Sequence, residues 1–275
     1  EDYDLPNLDA YCETCASVGM VLWNQRMNQL TGDSKYIDVL ERSLYNGALA
    51  GISLGGDRFF YVNPLESKGD HHRQEWYGCA CCPSQLSRFL PSIGNYIYAS
   101  SDDALWVNLY IGNTGQIRIG ETDILLTQET DYPWDGSVKL TISTSQPLEK
   151  EIRLRIPNWC KTYDLSINGK RINVSEEKGY AVIKDWKSQD VIAMDMPVEI
   201  VAADPHVKEN FGKRAIQRGP LVYCMEEIDN PEYFDQIQLS PSTTFQTAFV
   251  SDILNGIKTI KTNGRAQSAT FIPYY

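Results

Sequence analysis

No stretch of this 275-residue chain approaches the roughly 20 consecutive apolar residues that a helix needs to cross a bilayer, and no charged-then-apolar signal segment opens it. A helical membrane span is thereby excluded. A basic patch is also missing: the net charge is -11, the pI is near 4.8, and the densest Lys/Arg stretch, Lys208 to Arg218, is broken by Glu209 and by apolar residues. An acidic surface without such a patch repels phosphate backbones and anionic membranes, so nucleic acid is not an expected partner. Internal repeats and low-complexity tracts are absent. Disulfide density is low too, because seven cysteines in a chain of this length are too few and too unevenly placed for a disulfide scaffold. The chain opens on Glu1 and not on an initiator methionine, which fits a start that has been processed or cut.

What is present divides into two kinds of pattern, and the length makes more than one domain the default. From about Leu8 to Ser100 apolar residues recur at helical spacing: Val18, Leu22, Trp23, Met27 and Leu30, a break at Thr31-Gly32-Asp33-Ser34, then Tyr36, Ile37, Leu40 and Leu44. A third helix is expected after Cys82-Pro83, with Pro at its first position, carrying Leu86, Phe89, Leu90, Ile93 and Ile97. Between the second and third lies a long excursion, Gly47 to Tyr77, in which Gly55-Gly56 reads as the turn of a short hairpin. After Ser101-Asp102-Asp103 short alternating segments follow: 105–111, 116–119, 138–144, 151–156, 165–167, 180–183 and 191–196. Their spacing predicts an antiparallel β-sandwich, with Asn168-Gly169 as a two-residue hairpin turn. The fold class is thus α+β and multidomain: a helical segment over 1–102, a sandwich over 103–229, and a tail over 230–275 to which the pattern assigns no fold.

The chemistry is concentrated in the cysteines. Trp76-Tyr77-Gly78-Cys79-Ala80-Cys81-Cys82-Pro83 opens the third helix, and Cys12-Glu13-Thr14-Cys15 brackets a glutamate with a second thiol pair. Glu13, Cys15, Cys81 and Cys82 together offer the carboxylate and thiolate donors that a tetrahedral zinc ion takes. Positions two apart on a regular helix point about 200° away from each other, so Glu13 and Cys15 share a metal only where the segment is irregular or just entering its helix. Cys81 and Cys82 at a helix amino terminus meet unpaired N–H groups and the helix dipole, both of which favour thiolate. Buried thiols or a structural metal site are the alternatives. His71 and His72 are competing ligands or solvated loop residues; Tyr61 is a core aromatic or a hydroxyl facing a pocket; Trp76 and Tyr77 pack or form a stacking wall for a sugar. Cys160 and Cys224, in strand-like surroundings, read as small buried hydrophobes.

The segments Asp2-Tyr3-Asp4-Leu5-Pro6-Asn7, Tyr11-Cys12-Glu13-Thr14-Cys15-Ala16-Ser17, Phe59-Phe60-Tyr61-Val62-Asn63-Pro64-Leu65 and Gly78-Cys79-Ala80-Cys81-Cys82-Pro83 closely resemble glycoside hydrolase family 127, the β-L-arabinofuranosidases. The resemblance is dense to about residue 100 and looser beyond, through Ile156-Pro157-Asn158-Trp159 and Gln217-Arg218-Gly219-Pro220. It implies a zinc-dependent retaining glycosidase acting on L-arabinofuranose-containing glycans or a related plant-type sugar, with an (α/α)6 toroid followed by β-sandwich domains. Carried over by motif, it implies Glu13, Cys15, Cys81 and Cys82 as zinc ligands, Cys81 as the nucleophile and Tyr61 as a substrate-site hydroxyl.

The departure from the family pattern is equally informative. The family's acid/base glutamate stands in a Gly-Glu-x-Phe-Gly segment upstream of the Asp-Tyr-Glu-Leu-Pro-Asn stretch, and no such segment occurs here. The helical pattern before residue 100 also holds too few helices for a whole toroid. The resemblance therefore implies a carboxy-terminal portion, only a partial toroid, whose partner is the upstream part of a parent polypeptide. Two other classes stay in play: a non-catalytic zinc-stabilised carbohydrate-binding module, and a thiol redox protein using Cys79, Cys81 and Cys82.

Overall fold

The computed structural model describes residues 2–145, 150–184, 189–232, 237–240, 242–262 and 268–274. The chain falls into two compact units, one formed by Glu1–Val18, Arg42–Leu86 and Pro197–Tyr275, the other by Gly19–Glu41 and Ser87–Met196. Helices α1 (Thr14–Thr31), α2 (Lys35–Ser43), α3 (Cys81–Phe89) and α4 (Gly94–Ile97) precede the strands, the order expected from the change of periodicity.

The break at Thr31-Gly32-Asp33-Ser34 ends α1, and Asp33 Oδ1 accepts the Lys35 N–H at 3.0 Å as the next helix starts. The buried face of α1 differs from the expected apolar stripe. Val18, Val21, Asn24 and Asn28 point inward, whereas Trp23 and Leu30 are 66% and 80% exposed. Asn28 tolerates burial because its amide donates to Tyr180 Oη at 2.8 Å and to the Asp33 carbonyl at 3.1 Å. Helix α3 starts at Cys81, two residues earlier than expected, which leaves Pro83 inside the first turn, where N–H groups have no intrahelical partner anyway. The single helix expected to run through Ile97 is interrupted by a 3₁₀ turn at Leu90–Ser92, since Pro91 cannot donate to an α-helical ladder. In the excursion between α2 and α3 the chain doubles back as expected: Ile52 bridges Phe59, and the Ser53 N–H donates to the Arg58 carbonyl at 2.8 Å.

The second unit carries β1 (Tyr98–Ser100), β2 (Ala104–Val107), β3 (Asn113–Ile119), β4 (Thr122–Thr130), β5 (Ser137–Thr144), β6 (Glu151–Arg155), β7 (Tyr163–Ile167), β8 (Lys170–Arg171), β9 (Ser175–Glu177), β10 (Tyr180–Ile183) and β11 (Gln189–Met194). They form two sheets, ordered β1-β2-β6-β10-β9 and β3-β4-β5-β11-β7-β8, antiparallel except for the β2–β6 pair. Alternation sends Ile124 and Leu126 of β4 and Val138, Leu140 and Ile142 of β5 inward. The Tyr98 hydroxyl ties the sheets by donating to Asn113 Oδ1 at 3.1 Å and accepting from Gln128 Nε2 at 2.8 Å. Asn168 and Gly169, with φ of 49° and 76°, make the expected turn between β7 and β8, a conformation that asparagine and glycine tolerate best.

One buried cation organises this unit. Arg155 is fully buried, with Nη1 on Asp38 Oδ1 at 2.9 Å, Nη2 on Glu41 Oε1 at 2.5 Å and Nε on the Asn108 carbonyl at 2.7 Å. Tyr132 Oη adds a donor to Glu41 at 2.7 Å, and the Asn158 N–H reaches Asp38 at 3.2 Å. Each of the three guanidinium nitrogens thus meets an acceptor, two of them carboxylates, the kind of pairing under which a buried charge is tolerated.

In the first unit β12 (Val198–Ala202), β13 (Arg214–Arg218), β14 (Leu221–Cys224), β15 (Phe245–Val250), β16 (Ile257–Thr262) and β17 (Thr270–Pro273) form one six-stranded sheet, ordered β12-β13-β14-β17-β16-β15. The tail left without a fold therefore supplies three of these strands; its residues 233–236, 241, 263–267 and 275 lie outside the described ones. Among the described residues no helix is long and apolar enough to cross a membrane.

Candidate metal centre

All four sequence-predicted ligands lie in the first unit. The segment before α1 is extended: Glu13 bridges Val62, the Asn63 N–H donates to the Cys12 carbonyl at 2.9 Å, and the Thr14 N–H donates to the Tyr61 carbonyl at 3.0 Å. Thr14, fully buried, adds Oγ1 to the Phe60 carbonyl at 2.9 Å. The chain enters its helix between Glu13 and Cys15, one of the two local geometries in which these residues can face a common point. Cys81 and Cys82 are the first two residues of α3, at the amino terminus where the sequence puts them.

The ligand atoms of Glu13, Cys15, Cys81 and Cys82 all lie within 4.8 Å of one another. Cys15 Sγ is 3.4 Å from Cys82 Sγ, and the Cys81 and Cys82 sulfurs are 3.8 Å apart. Glu13 Oε1 stands 3.6 Å from Cys81 Sγ and 3.9 Å from Cys82 Sγ. A tetrahedral ion with bonds of roughly 2.3 Å to sulfur and 2.1 Å to oxygen has edges of about 3.8 Å between sulfurs and about 3.6 Å between sulfur and oxygen. Those four separations lie within about 0.4 Å of such edges, so the group can hold a metal ion.

The three thiols differ in environment. Cys82 is fully buried, and burial pushes its thiol up. Burial, reinforced by the Cys82 and Cys81 thiols, also raises Cys15. Cys81 moves the other way: a hydrogen bond from the Tyr61 hydroxyl is the main cause that lowers it, aided by the neighbouring thiols and opposed by partial burial. The same contact raises Tyr61, which also meets Tyr11. Tyr61 is flanked by the rings of Tyr11 at 6.2 Å and Tyr77 at 5.6 Å, and Trp76 stands 63% exposed.

His71 and His72 stay out of the group. His71 Nε2 is 2.8 Å from the Val62 carbonyl, its ring lies 5.1 Å from Phe60, and both histidines are exposed. His71, Val62, Pro64, Asp9, Lys68 and Asp70 instead border a separate open cavity of about 350 Å³ that contains none of the four ligands. Cys160 and Cys224 are half-buried, not buried as expected, and burial pushes their thiols up to about 11 and about 12.

Three family models match the chain in succession: the GH127 β-L-arabinofuranosidase catalytic domain over residues 1–95, the GH127 middle domain over 104–198, and the glycoside hydrolase family 127 C-terminal domain over 198–275. The chain belongs to glycoside hydrolase family 127. It is similar to the non-reducing end β-L-arabinofuranosidase of Bifidobacterium longum subsp. longum, 39% identical over 94% of this chain and 42% of that protein. Among solved structures, a GH127 β-arabinofuranosidase superposes with a TM-score of 0.94 at 40% identity, over 100% of this chain and 48% of that one. A GH127 β-L-arabinofuranosidase from Geobacillus stearothermophilus T6 gives 0.92 at 41%, over 100% and 49%. The chain thus spans less than half the length of each of these relatives. Within this family 127 chain, sequence reasoning found the four donors and Tyr61 but not Tyr11 or Thr14 beside them, because neither residue type advertises a metal.

Proposed function

We propose that this chain carries the nucleophile side of a zinc-dependent retaining glycoside hydrolase acting on β-L-arabinofuranosides in L-arabinofuranose-containing glycans. The reading takes the helical residues as the carboxy-terminal part of an (α/α)6 toroid, the strands of the second unit as a β-sandwich, and the rest of the toroid as an upstream part of a longer polypeptide. The observation that supports it is the gathering of the Glu13, Cys15, Cys81 and Cys82 ligand atoms within 4.8 Å of one another at the amino terminus of α3. Zinc, when bound, supplies charge that keeps thiol ligands ionised at neutral pH.

Cys82 is sealed from solvent, while Cys15 and Cys81 are both half-buried; burial raises the Cys15 thiol, whereas the Tyr61 hydroxyl lowers that of Cys81, so attack is assigned to Cys81. Its sulfur forms a bond to the anomeric carbon as the bond to the leaving oxygen breaks, and a later attack by water on that carbon restores the thiolate with retained configuration. Tyr61 orients the sulfur and offers its hydroxyl to the sugar. Protonating a poor leaving group and activating the water call for an acid/base carboxyl, worth about 10² to 10⁴ in rate, which the missing Gly-Glu-x-Phe-Gly motif would provide.

A 2,4-dinitrophenyl β-L-arabinofuranoside needs no acid for departure. The zinc-loaded chain is expected to release a single equivalent of dinitrophenolate and to gain one pentosyl mass on the Cys81 peptide, with negligible turnover of ordinary alkyl arabinofuranosides. Absence of the adduct in the loaded chain, or the same adduct in Cys81→Ser, refutes the role of Cys81.

A further inference from the structure

The segment that delivers Cys81 also reaches back to hold Tyr61. The Tyr77 hydroxyl donates to the Phe59 carbonyl at 2.9 Å and accepts the Tyr61 N–H at 3.1 Å. Its ring meets that of Tyr61 edge-on, with centroids 5.6 Å apart and planes at 67°. The Tyr61 backbone also meets the metal centre: its carbonyl takes the Thr14 N–H at 3.0 Å and lies 3.8 Å from Cys82 Sγ. On this short extended segment the neighbouring N–H groups find backbone acceptors, Phe60 in the Gly51 carbonyl at 2.9 Å and Asn63 in the Cys12 carbonyl. The Tyr61 N–H is satisfied by the Tyr77 side chain instead. A half-buried N–H left unpaired is costly, so this bond selects one backbone position for Tyr61.

We infer that Tyr77 is a positioning residue of the metal centre, holding the Tyr61 backbone through its hydroxyl so that the Tyr61 carbonyl stays on the Thr14 N–H and beside Cys82 Sγ. Tyr77 touches no ligand atom and acts only through Tyr61. A phenylalanine would keep the ring packing and lose both hydrogen bonds, which separates this role from simple packing. Hydrogen bonds around a metal site orient its ligands, and their removal typically costs about 10 to 100-fold in metal affinity. The inference rests on the reading of Glu13, Cys15, Cys81 and Cys82 as a metal centre.

The test measures Zn²⁺ affinity by chelator competition, and the thiolate-to-metal charge-transfer band with Co²⁺, in the wild-type chain and in Tyr77→Phe. The variant is expected to bind Zn²⁺ about tenfold more weakly. It should also shift the Co²⁺ band, because a displaced Tyr61 carbonyl changes the surroundings of the Cys82 sulfur. Wild-type affinity with an unshifted band in Tyr77→Phe overturns the role of Tyr77. Failure of the wild-type chain to bind either ion overturns the metal reading and this inference with it. If Tyr77→Phe does not fold, amide exchange in the wild-type chain decides: Zn²⁺ must slow exchange at the Tyr61 N–H, because coupling between two sites is reciprocal. Unchanged exchange there overturns the inference.

Discussion

Stripping metal from the Glu13/Cys15/Cys81/Cys82 group should cost the unit that holds it about 4 kcal/mol. Cys15 and Cys82 are 67 residues apart in sequence, so an ion joining them closes a long loop in the unfolded ensemble as a disulfide would, and the chain-entropy relation gives about 4 kcal/mol for that length. Mass action delivers this amount when free metal stands at about a thousand times its dissociation constant. Urea unfolding with Zn²⁺ and with a chelator, followed by tryptophan fluorescence and circular dichroism, measures the difference. The double variant Glu13→Gln/Cys15→Ser is the decisive control: Cys81 and Cys82 remain, but adjacent residues close no loop, and the metal-dependent gain should fall close to zero. An undiminished gain in that variant, or identical unfolding of the wild-type chain with and without metal, refutes the argument. The pH dependence carries opposite signs in the two states. With metal bound the folded thiols carry no protons that the unfolded thiols still hold below their ordinary pKa of about 8.5, so stability grows with pH up to that value and is lost as pH falls. Without metal, Cys15 and Cys82 are raised, chiefly by burial; that contribution is full below the ordinary thiol value and is lost as pH climbs toward the raised one.

Arg155→Met should destabilise the second unit by about 3 to 5 kcal/mol, since it leaves the buried carboxylates of Asp38 and Glu41 without their guanidinium; a loss below about 1 kcal/mol in urea unfolding would contradict the account. Thiol mapping with iodoacetamide at pH 8, read by peptide mass, should label exposed Cys79 before Cys160 and Cys224, whose thiols burial pushes up to about 11 and about 12; faster labelling of either of those two would contradict their environments.

The donor set was legible in the sequence because carboxylate and thiol are rare as a group, and Cys12-Glu13-Thr14-Cys15 and Cys81-Cys82-Pro83 present them with little else competing. The helix break at Thr31-Gly32-Asp33-Ser34 and the Asn168-Gly169 turn were legible for a similar reason: local backbone preferences act over two to four residues and need no distant partner. Pairing partners were not legible. Strand β4 escaped notice although its burial alternates, and the stretch after Asn230 showed no pattern because β15 lies at a sheet edge, with Gln246, Thr247 and Ala248 exposed. Arg155 drew no reading from the sequence, because no local pattern marks a cation for burial.

By itself the sequence therefore determined the chemistry available to this protein: four soft and hard donors, no basic surface, no membrane helix and membership of a glycosidase family written in its motifs. Only the tertiary structure decided that Cys82 is sealed while Cys15 and Cys81 stay half-buried, which face of α1 is buried, and that Tyr77 is tied to the Tyr61 backbone. Those outcomes depend on contacts between residues tens of positions apart. Burial and hydrogen bonding at that separation come from the packed fold, and no local pattern encodes them.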